Sequence, residues 1–225
     1  KPENRRLPSL FEFASIRTLT PPKSWTDPQR KMMKQARRVH GWRSLIAVLA
    51  TLLLAWLGFE SYGRVQAQNV LTADPANLPS AMERLSPWQV WARQYLWEIV
   101  ARAPQDDAER KEQLHARLAQ SALTGTYDPE LLTALYESGI PYLGVVRDVL
   151  QPHSDQLATA LWDTLHNAGD SAGKRFRAGL ALAAYATESE HWSDADYALL
   201  AAQLVKENPI HQPQWNGLLS ECIGE

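Results

Sequence analysis

The sequence has few of the residues from which reaction centres are built. It holds a single cysteine, Cys222, and none of its six histidines lies four residues from another. The HExxH and CxxC spacings of zinc sites are therefore missing. The eleven glycines are scattered, so neither GxGxxG nor GxxxxGK, the glycine-rich loops that hold phosphates, occurs. We expect no catalytic residue, no metal site and no cofactor within residues 1–225, and we expect Cys222 to be an incidental thiol without an internal disulfide.

Charge is absent from residues 44–59, a run of sixteen residues that is mostly leucine and alanine. Sixteen helical residues reach only about 24 Å, but residues 42–62 reach about 31 Å, enough for a bilayer core of about 30 Å. Trp42 and Tyr62 lie at the two ends, where interfacial aromatic residues are common. The run predicts a transmembrane helix over residues 44–63.

Two other structures pass the same test, a buried helix of a soluble domain and a signal sequence. A buried helix of this length normally has a polar side, whereas this run has only Thr51 near its centre. A signal sequence would not normally follow 43 residues, and residues 59–62 make a poor cleavage site. The sequence favours the span.

The charges are divided unequally about this run. Residues 1–43 carry eleven Lys and Arg against three Asp and Glu, whereas residues 64–225 carry twelve against twenty-one. Six basic residues lie within fourteen positions before the run, and Arg64 alone lies just after it. The positive-inside rule therefore predicts that the N-terminal side is cytoplasmic and the C-terminal domain extracytoplasmic. We expect the basic arm, residues 1–43, to be a stalk that contacts anionic lipid and not nucleic acid.

Strand patterns are nearly absent from residues 64–225, where apolar residues recur at three- and four-residue steps. Proline, glycine and asparagine separate the periodic segments. The sequence predicts helices at 65–73, 77–85, 88–102, 106–122, 128–138, 141–150, 154–166, 172–187, 193–207 and 212–220.

Two short segments match others further along the chain. Residues 131–136 (LLTALY) match 157–162 (LATALW), and residues 116–119 match 178–181. The offsets of 26 and 62 residues predict an α-solenoid-like (HEAT-like) array of short paired helices, with an irregular bundle as the alternative. We expect one continuous buried stripe formed by Leu131, Leu135, Tyr136, Val146, Val149, Leu150, Leu157, Leu161, Trp162, Leu180, Ala184, Leu199 and Leu204.

The second functional hypothesis is a membrane-anchored cell-envelope enzyme with a glycan- or peptide-binding cleft. It depends on the six tryptophans of residues 64–225, of which Trp88 and Trp91 are the best candidates for exposure, and on acidic residues that could line a cleft. The candidate carboxylates are Glu98, Asp128, Asp163, Asp170 and Asp194. We expect most of these tryptophans to pack between helices instead.

Several segments carry a resemblance to a known class of protein. They are KPENRRLPSLFE at 1–12, WTDPQRKMM at 25–33, RVHG at 38–41, and VRDVLQPH at 146–153 with Leu161-Trp162. These segments resemble bacterial single-pass signalling proteins that join a cytoplasmic STAND-type NTPase or serine/threonine kinase module to an extracytoplasmic helical-repeat region. A formylglycine-generating-enzyme-like or β-propeller domain often follows that region.

The resemblance implies that this chain is an internal fragment, with any enzymatic module outside residues 1–225. The expectation for the segment is a non-enzymatic transmembrane connector with a helical-repeat interaction module. Its partners would be the bilayer and a protein or neighbouring domain.

Overall fold

The computed structural model describes residues 7–206, except the side chain of Ser24, together with Trp215 and Leu218. These residues are all-helical, with no strand among them. The chain divides into two compact units, Lys1–Phe59 and Glu60–Glu225. The α-helices are α1 (Leu10–Leu19), α2 (Asp27–Leu71), α3 (Leu78–Leu85), α4 (Gln89–Ala101), α5 (Asp107–Thr124), α6 (Pro129–Glu137), α7 (Ile140–Leu150), α8 (Ser154–His166), α9 (Ala172–Tyr185) and α10 (Asp194–Lys206).

The first unit begins with a short helix that the sequence analysis did not anticipate. Ser9 caps α1 in a capping box, in which its hydroxyl accepts from the backbone N–H of Glu12 and the Glu12 carboxylate accepts from the Ser9 N–H. This reciprocal bonding satisfies two donors that a helix start leaves unpaired. The bond to Ser9 holds the pKa of the Glu12 carboxyl below its usual value. The arm therefore contains a helix that was not predicted.

Helix α2 is one unbroken helix of 45 residues. The predicted separation of a span at 44–63 from a helix at 65–73 is wrong. Gly63 and Arg64 continue the helix, because the following residues have ordinary helix propensity and no proline intervenes before Pro75. A glycine inside a helix weakens it without ending it.

The second unit has a single apolar core to which every helix from α3 to α9 contributes fully buried residues. The closing residues of α2 also enter this core, since Ala67, Val70 and Leu71 are buried. Consecutive helices pack in pairs, α4 with α5, α6 with α7 and α8 with α9, and α9 also contacts α6 and α10. Single 3-10 turns that contain a proline, Ser86–Trp88 and Gln151–His153, separate α3 from α4 and α7 from α8.

The predicted helix boundaries agree with the structure to within about two residues from α3 to α10. Asp106 and Asp128 cap α5 and α6 with their side chains, and Gly125 ends α5 in the left-handed conformation at φ 63°. Aspartate at a helix start and glycine just past a helix end are strong signals in sequence. The predicted helix at 212–220 lies outside the described residues apart from Trp215 and Leu218.

The predicted buried stripe is confirmed for its central members. Leu161 is fully buried. The stripe residues that are only half-buried are Tyr136, Val149, Trp162, Ala184, Leu199 and Leu204. The members that belong to the common core are Leu131, Leu135, Val146, Leu150, Leu157, Leu161 and Leu180.

Candidate functional site

A groove of about 940 Å³ runs along α2 in the first unit, and its lining is basic. We call it the basic groove. Its lining residues are Lys31, Lys34, Gln35, Arg37, Arg38, Gly41, Trp42 and Leu45. All four cations are exposed, and within the part of the chain that the structure describes none of them forms an ion pair. Four cations on two turns of one helix make a strongly positive surface.

The opposite side of α2 is occupied by the N-terminal segment. Met33, Ala36 and His40 are buried and recur at helical spacing. His40 Nε2 lies 2.8 Å from the carbonyl oxygen of Pro8, and the rings of Phe13 and His40 are 5.7 Å apart. At about 100° per residue these buried positions point away from Lys34 and Arg38. The docked segment therefore leaves the basic groove open.

A second, smaller groove of about 510 Å³ lies where α1 and α2 meet within the same unit. Phe13 and Trp25 give it aromatic walls, and Arg17, Arg30 and Lys34 give it charge. Trp25 is fixed by a hydrogen bond from its Nε1 to the Thr20 hydroxyl, 3.1 Å away. The two grooves share Lys34 and Arg37, so the positive surface extends around α2.

Beyond the basic groove, α2 presents large apolar side chains to its surroundings. Trp42 is 62% exposed and Leu45 is 50% exposed. The exposed aliphatic and aromatic side chains continue through Leu49, Leu53, Leu54, Trp56 and Phe59. α2 lies near the N-terminus and is long and apolar enough to cross a membrane. No residue in its most apolar stretch is buried.

The second unit has a cluster of aromatic and histidine side chains where α8 meets α10. The Trp162 ring lies 5.6 Å from both His166 and His191, and 4.9 Å from Trp192 in an edge-to-face arrangement. His166 Nε2 lies 3.2 Å from the carboxylate of Asp196, which is almost fully buried. This contact joins α8 to the start of α10.

Asp196 is held as an anion by its hydrogen bonds. Burial alone would raise the pKa of this carboxyl, but the hydroxyl and backbone N–H of Ser193 donate to it at 2.7 and 3.0 Å. Together with His166, these donors lower the pKa of Asp196 below its usual value. Ser193 and Asp196 together cap the start of α10. Among the described residues, neither of them lines a groove or cavity large enough to be named in this structure.

The five candidate carboxylates are not brought together. Asp128 caps α6 and pairs with Arg117 at 2.7 Å, while Asp170 pairs with Lys174 at 2.7 Å, a bond that lowers its pKa. Glu98 accepts from Gln94 on the surface of α4, and Asp163 and Asp194 are exposed on α8 and α10. None of the five lines a cavity described here. In the described part of the chain, no three His, Cys, Asp or Glu side chains are placed to hold a metal ion.

The expectation that Trp88 and Trp91 are exposed is wrong. Both are half-buried. Trp88 packs edge-to-face on Tyr62 with ring centroids 4.6 Å apart, and a Cβ added to Gly63 would lie 2.6 Å from the Cβ of Trp91. Trp97 is instead 60% exposed on α4. Glycine permits this close approach of α2 to α4 because it has no side chain.

His115 is a structural residue that the sequence analysis did not single out. It is fully buried, and it contacts α2 through Val70 and α7 through Tyr142. Burial lowers the pKa of His115, as does the charge of Lys111, although the bond to Val70 acts in the opposite direction. Both partners are more than 25 residues away in sequence, so no local pattern could have identified the site.

Comparison of the chain with protein-family models, with curated proteins and with solved structures finds no match.

Proposed function

We propose that this chain is a non-enzymatic transmembrane connector with a helical-repeat interaction module, part of a larger bacterial signalling protein. Residues 1–43 form the cytoplasmic arm, residues 44–63 cross the cytoplasmic membrane, and residues 64–225 form the extracytoplasmic domain. The observation that carries this proposal is α2, which exposes a continuous apolar surface after a strongly basic turn.

Membrane insertion accounts for side chains that water would disfavour. Leaving a leucine or phenylalanine side chain in water instead of an apolar medium costs about 1.5–3 kcal/mol. The segment 44–59 exposes at least ten large apolar side chains to roughly half or more of their area. A buried core helix would hide this face, and the window is 0% buried.

Two observations support a retained span over a cleaved signal sequence. The apolar run follows 43 residues that include a capped helix, α1, instead of a short basic segment. The same helix then continues until Leu71, and its last turns supply Val70 and Leu71 to the domain core. Cleavage near residue 60 would place a new chain end a few residues before this buried segment.

The repeat organisation of the domain is supported by the environments of the matching segments. Residues 131–136 on α6 and 157–162 on α8 have the same burial at every position, with leucines fully buried at the first and fifth. The second match relates α5 to α9. If α4/α5, α6/α7 and α8/α9 are successive pairs, the offsets of 26 and 62 residues correspond to one unit and two units.

The interaction role is supported by large apolar side chains that the domain exposes on α4. Val90 and Trp97 lie seven residues apart on one face of α4 and are 73% and 60% exposed. Stacked helix pairs characteristically bind other proteins through such extended surfaces. A neighbouring domain of the same polypeptide or a separate protein would both use contacts of this kind.

Cysteine accessibility tests the topology. Cys222→Ser removes the native thiol, and single cysteines then replace Lys23 in the arm and Glu188 in the domain, both exposed positions. A membrane-impermeant maleimide should label position 188 in intact spheroplasts and position 23 only after permeabilisation. Labelling of position 23 alone in intact spheroplasts would contradict the orientation, and extraction of the chain by alkaline carbonate would contradict the span.

A further inference from the structure

We propose that the basic groove is a binding site for an anionic phospholipid of the cytoplasmic leaflet. In this site Lys31, Lys34, Arg37 and Arg38 contact the phosphate, and Trp42 and Leu45 contact the glycerol and the first acyl methylenes. The inference rests on the proposed function, because the groove meets the lipid phosphates only if the segment that follows crosses the membrane.

The first reason is that the positive charges of the basic groove are not neutralised by neighbouring carboxylates. The four cations are exposed, and within the described residues none is paired with a carboxylate. By contrast, Arg117, Arg147 and Lys174 of the second unit each have an acidic partner within 2.9 Å. Unpaired cations at the start of a span attract anionic lipid headgroups.

The second reason is the order of residues along the helix axis. The cations end at Arg38, Trp42 follows after about 6 Å, and Leu45 follows after about 4.5 Å more at 1.5 Å per residue. All three residues line the same groove. Phosphate, glycerol and acyl chain follow one another in this order into a leaflet, and tryptophan is enriched at the membrane interface between water and the acyl chains.

The third reason is that the groove stays accessible when the arm is folded. Pro8 and Phe13 contact α2 at His40, on the side of the helix away from Lys31 and Arg38. Lys34 and Arg37 also border the smaller groove beside α1, but no described residue before α2 lines the basic groove. The groove volume of about 940 Å³ is in the range of sites for small molecules, so a headgroup with its first methylenes fits, whereas free phosphate would fill little of it.

The test uses the whole chain in a mild neutral detergent, with phosphatidylglycerol titrated in and bound lipid counted by native mass spectrometry. The test variant is Lys34→Gln/Arg38→Gln, which keeps four of the six basic residues before the span. The matched control is Arg84→Gln/Arg93→Gln, which removes the same charge from exposed positions of the second unit. Each groove cation should contribute about five-fold to lipid affinity, so the test variant should bind about 25-fold more weakly.

The control should bind as the wild type does, and the charge-retaining variant Lys34→Arg/Arg38→Lys should also keep its affinity. Equal weakening in the test and control pairs would overturn the site, since net charge would then explain the binding. Wild-type binding of phosphatidylcholine as tight as that of phosphatidylglycerol would also overturn it. If inorganic phosphate in excess displaced the lipid, the groove would be a phosphate site and the assignment to lipid would be wrong.

Alkaline extraction separates this inference from the proposed function. A chain that resists extraction but fails the lipid titration would contradict the groove alone. A chain that carbonate removes from the membrane would contradict both the span and the groove.

Discussion

The Nδ1 atom of His115 lies 2.9 Å from the carbonyl oxygen of Val70, and this bond ties the last turn of α2 to α5. A carbonyl only accepts, so Nδ1 carries the proton and donates. On the other side of the ring, Nε2 lies 3.2 Å from the hydroxyl of Tyr142, which donates to it when the ring is neutral. Both ring nitrogens are therefore satisfied in a fully buried neutral imidazole.

The stability of the second unit should fall as the pH drops below about 6.5. Burial lowers the pKa of His115 in the folded chain, while in the unfolded chain it stays near its ordinary value of 6.5. Below that value the unfolded state binds more protons than the folded state, so protonation favours unfolding. Stability is fully present above the unfolded pKa and is lost as the pH falls toward the folded one.

The dependence of stability on pH is measured by urea unfolding of the detergent-solubilised chain. The pH values run from about 7.5 to about 5, roughly the range in which histidine titrates. His115→Gln should reduce the slope of stability against pH, whereas His191→Gln, at an exposed position, should leave most of it. An unchanged slope in His115→Gln would mean that other groups carry the dependence.

Gly63→Ala should destabilise the second unit, although alanine is the better helix former. The added Cβ would lie 2.6 Å from the Cβ and 3.2 Å from the backbone carbon of Trp91, too close for either to remain in place. Overpacking of this kind costs about 1–3 kcal/mol, more than the roughly 1 kcal/mol that alanine gains in a helix.

Gly58→Ala is the matched control on the same helix, since a Cβ there meets nothing within 4 Å. It should leave the urea midpoint unchanged or raise it. Equal effects of the two substitutions would contradict the close packing at Gly63.

Leu161→Ala should lower the free energy of unfolding by about 2–5 kcal/mol, because it leaves a cavity in a packed core. Leu161 is fully buried, at the fifth position of the matched segment of α8. Val205→Ala is the surface control, at 80% exposure, and should change stability by no more than about 0.5 kcal/mol. Thermal or urea unfolding followed by circular dichroism distinguishes the two.

Removing the end of α2 should damage the domain even though that segment continues the apolar helix. A fragment that begins at residue 60 keeps Ala67, Val70 and Leu71, which are all buried. A fragment that begins at residue 73 loses them and also loses the carbonyl bonded by His115. The longer fragment should unfold cooperatively, and the shorter one should be less stable or aggregate. Equal urea midpoints would show that α2 is dispensable for the core.

The helices of the second unit could be predicted from sequence because their boundaries are encoded locally. Asp106, Asp128 and Gly125 lie at helix ends and act there through their own side chain or backbone freedom. The capping box of Ser9 and Glu12 is encoded in the same way, although no helix was predicted there.

The contacts that fix the arrangement could not be predicted. His115 and Gly63 act through partners far away in sequence, and the composition around them resembles that of any surface helix. The basic groove could be predicted only in part. Its cations were evident as a charge cluster, but their exposure on one side of α2 depends on which side the N-terminal segment covers.

The equal burial of α6 and α8 has a consequence for how substitutions should be compared. Leu131 and Leu157 are both buried, as are Leu135 and Leu161. A hybrid in which LATALW replaces LLTALY keeps leucine at both buried positions of α6 and should therefore still fold. Leu135→Ala and Leu161→Ala, made in the same chain, would show whether equal burial gives an equal loss of stability.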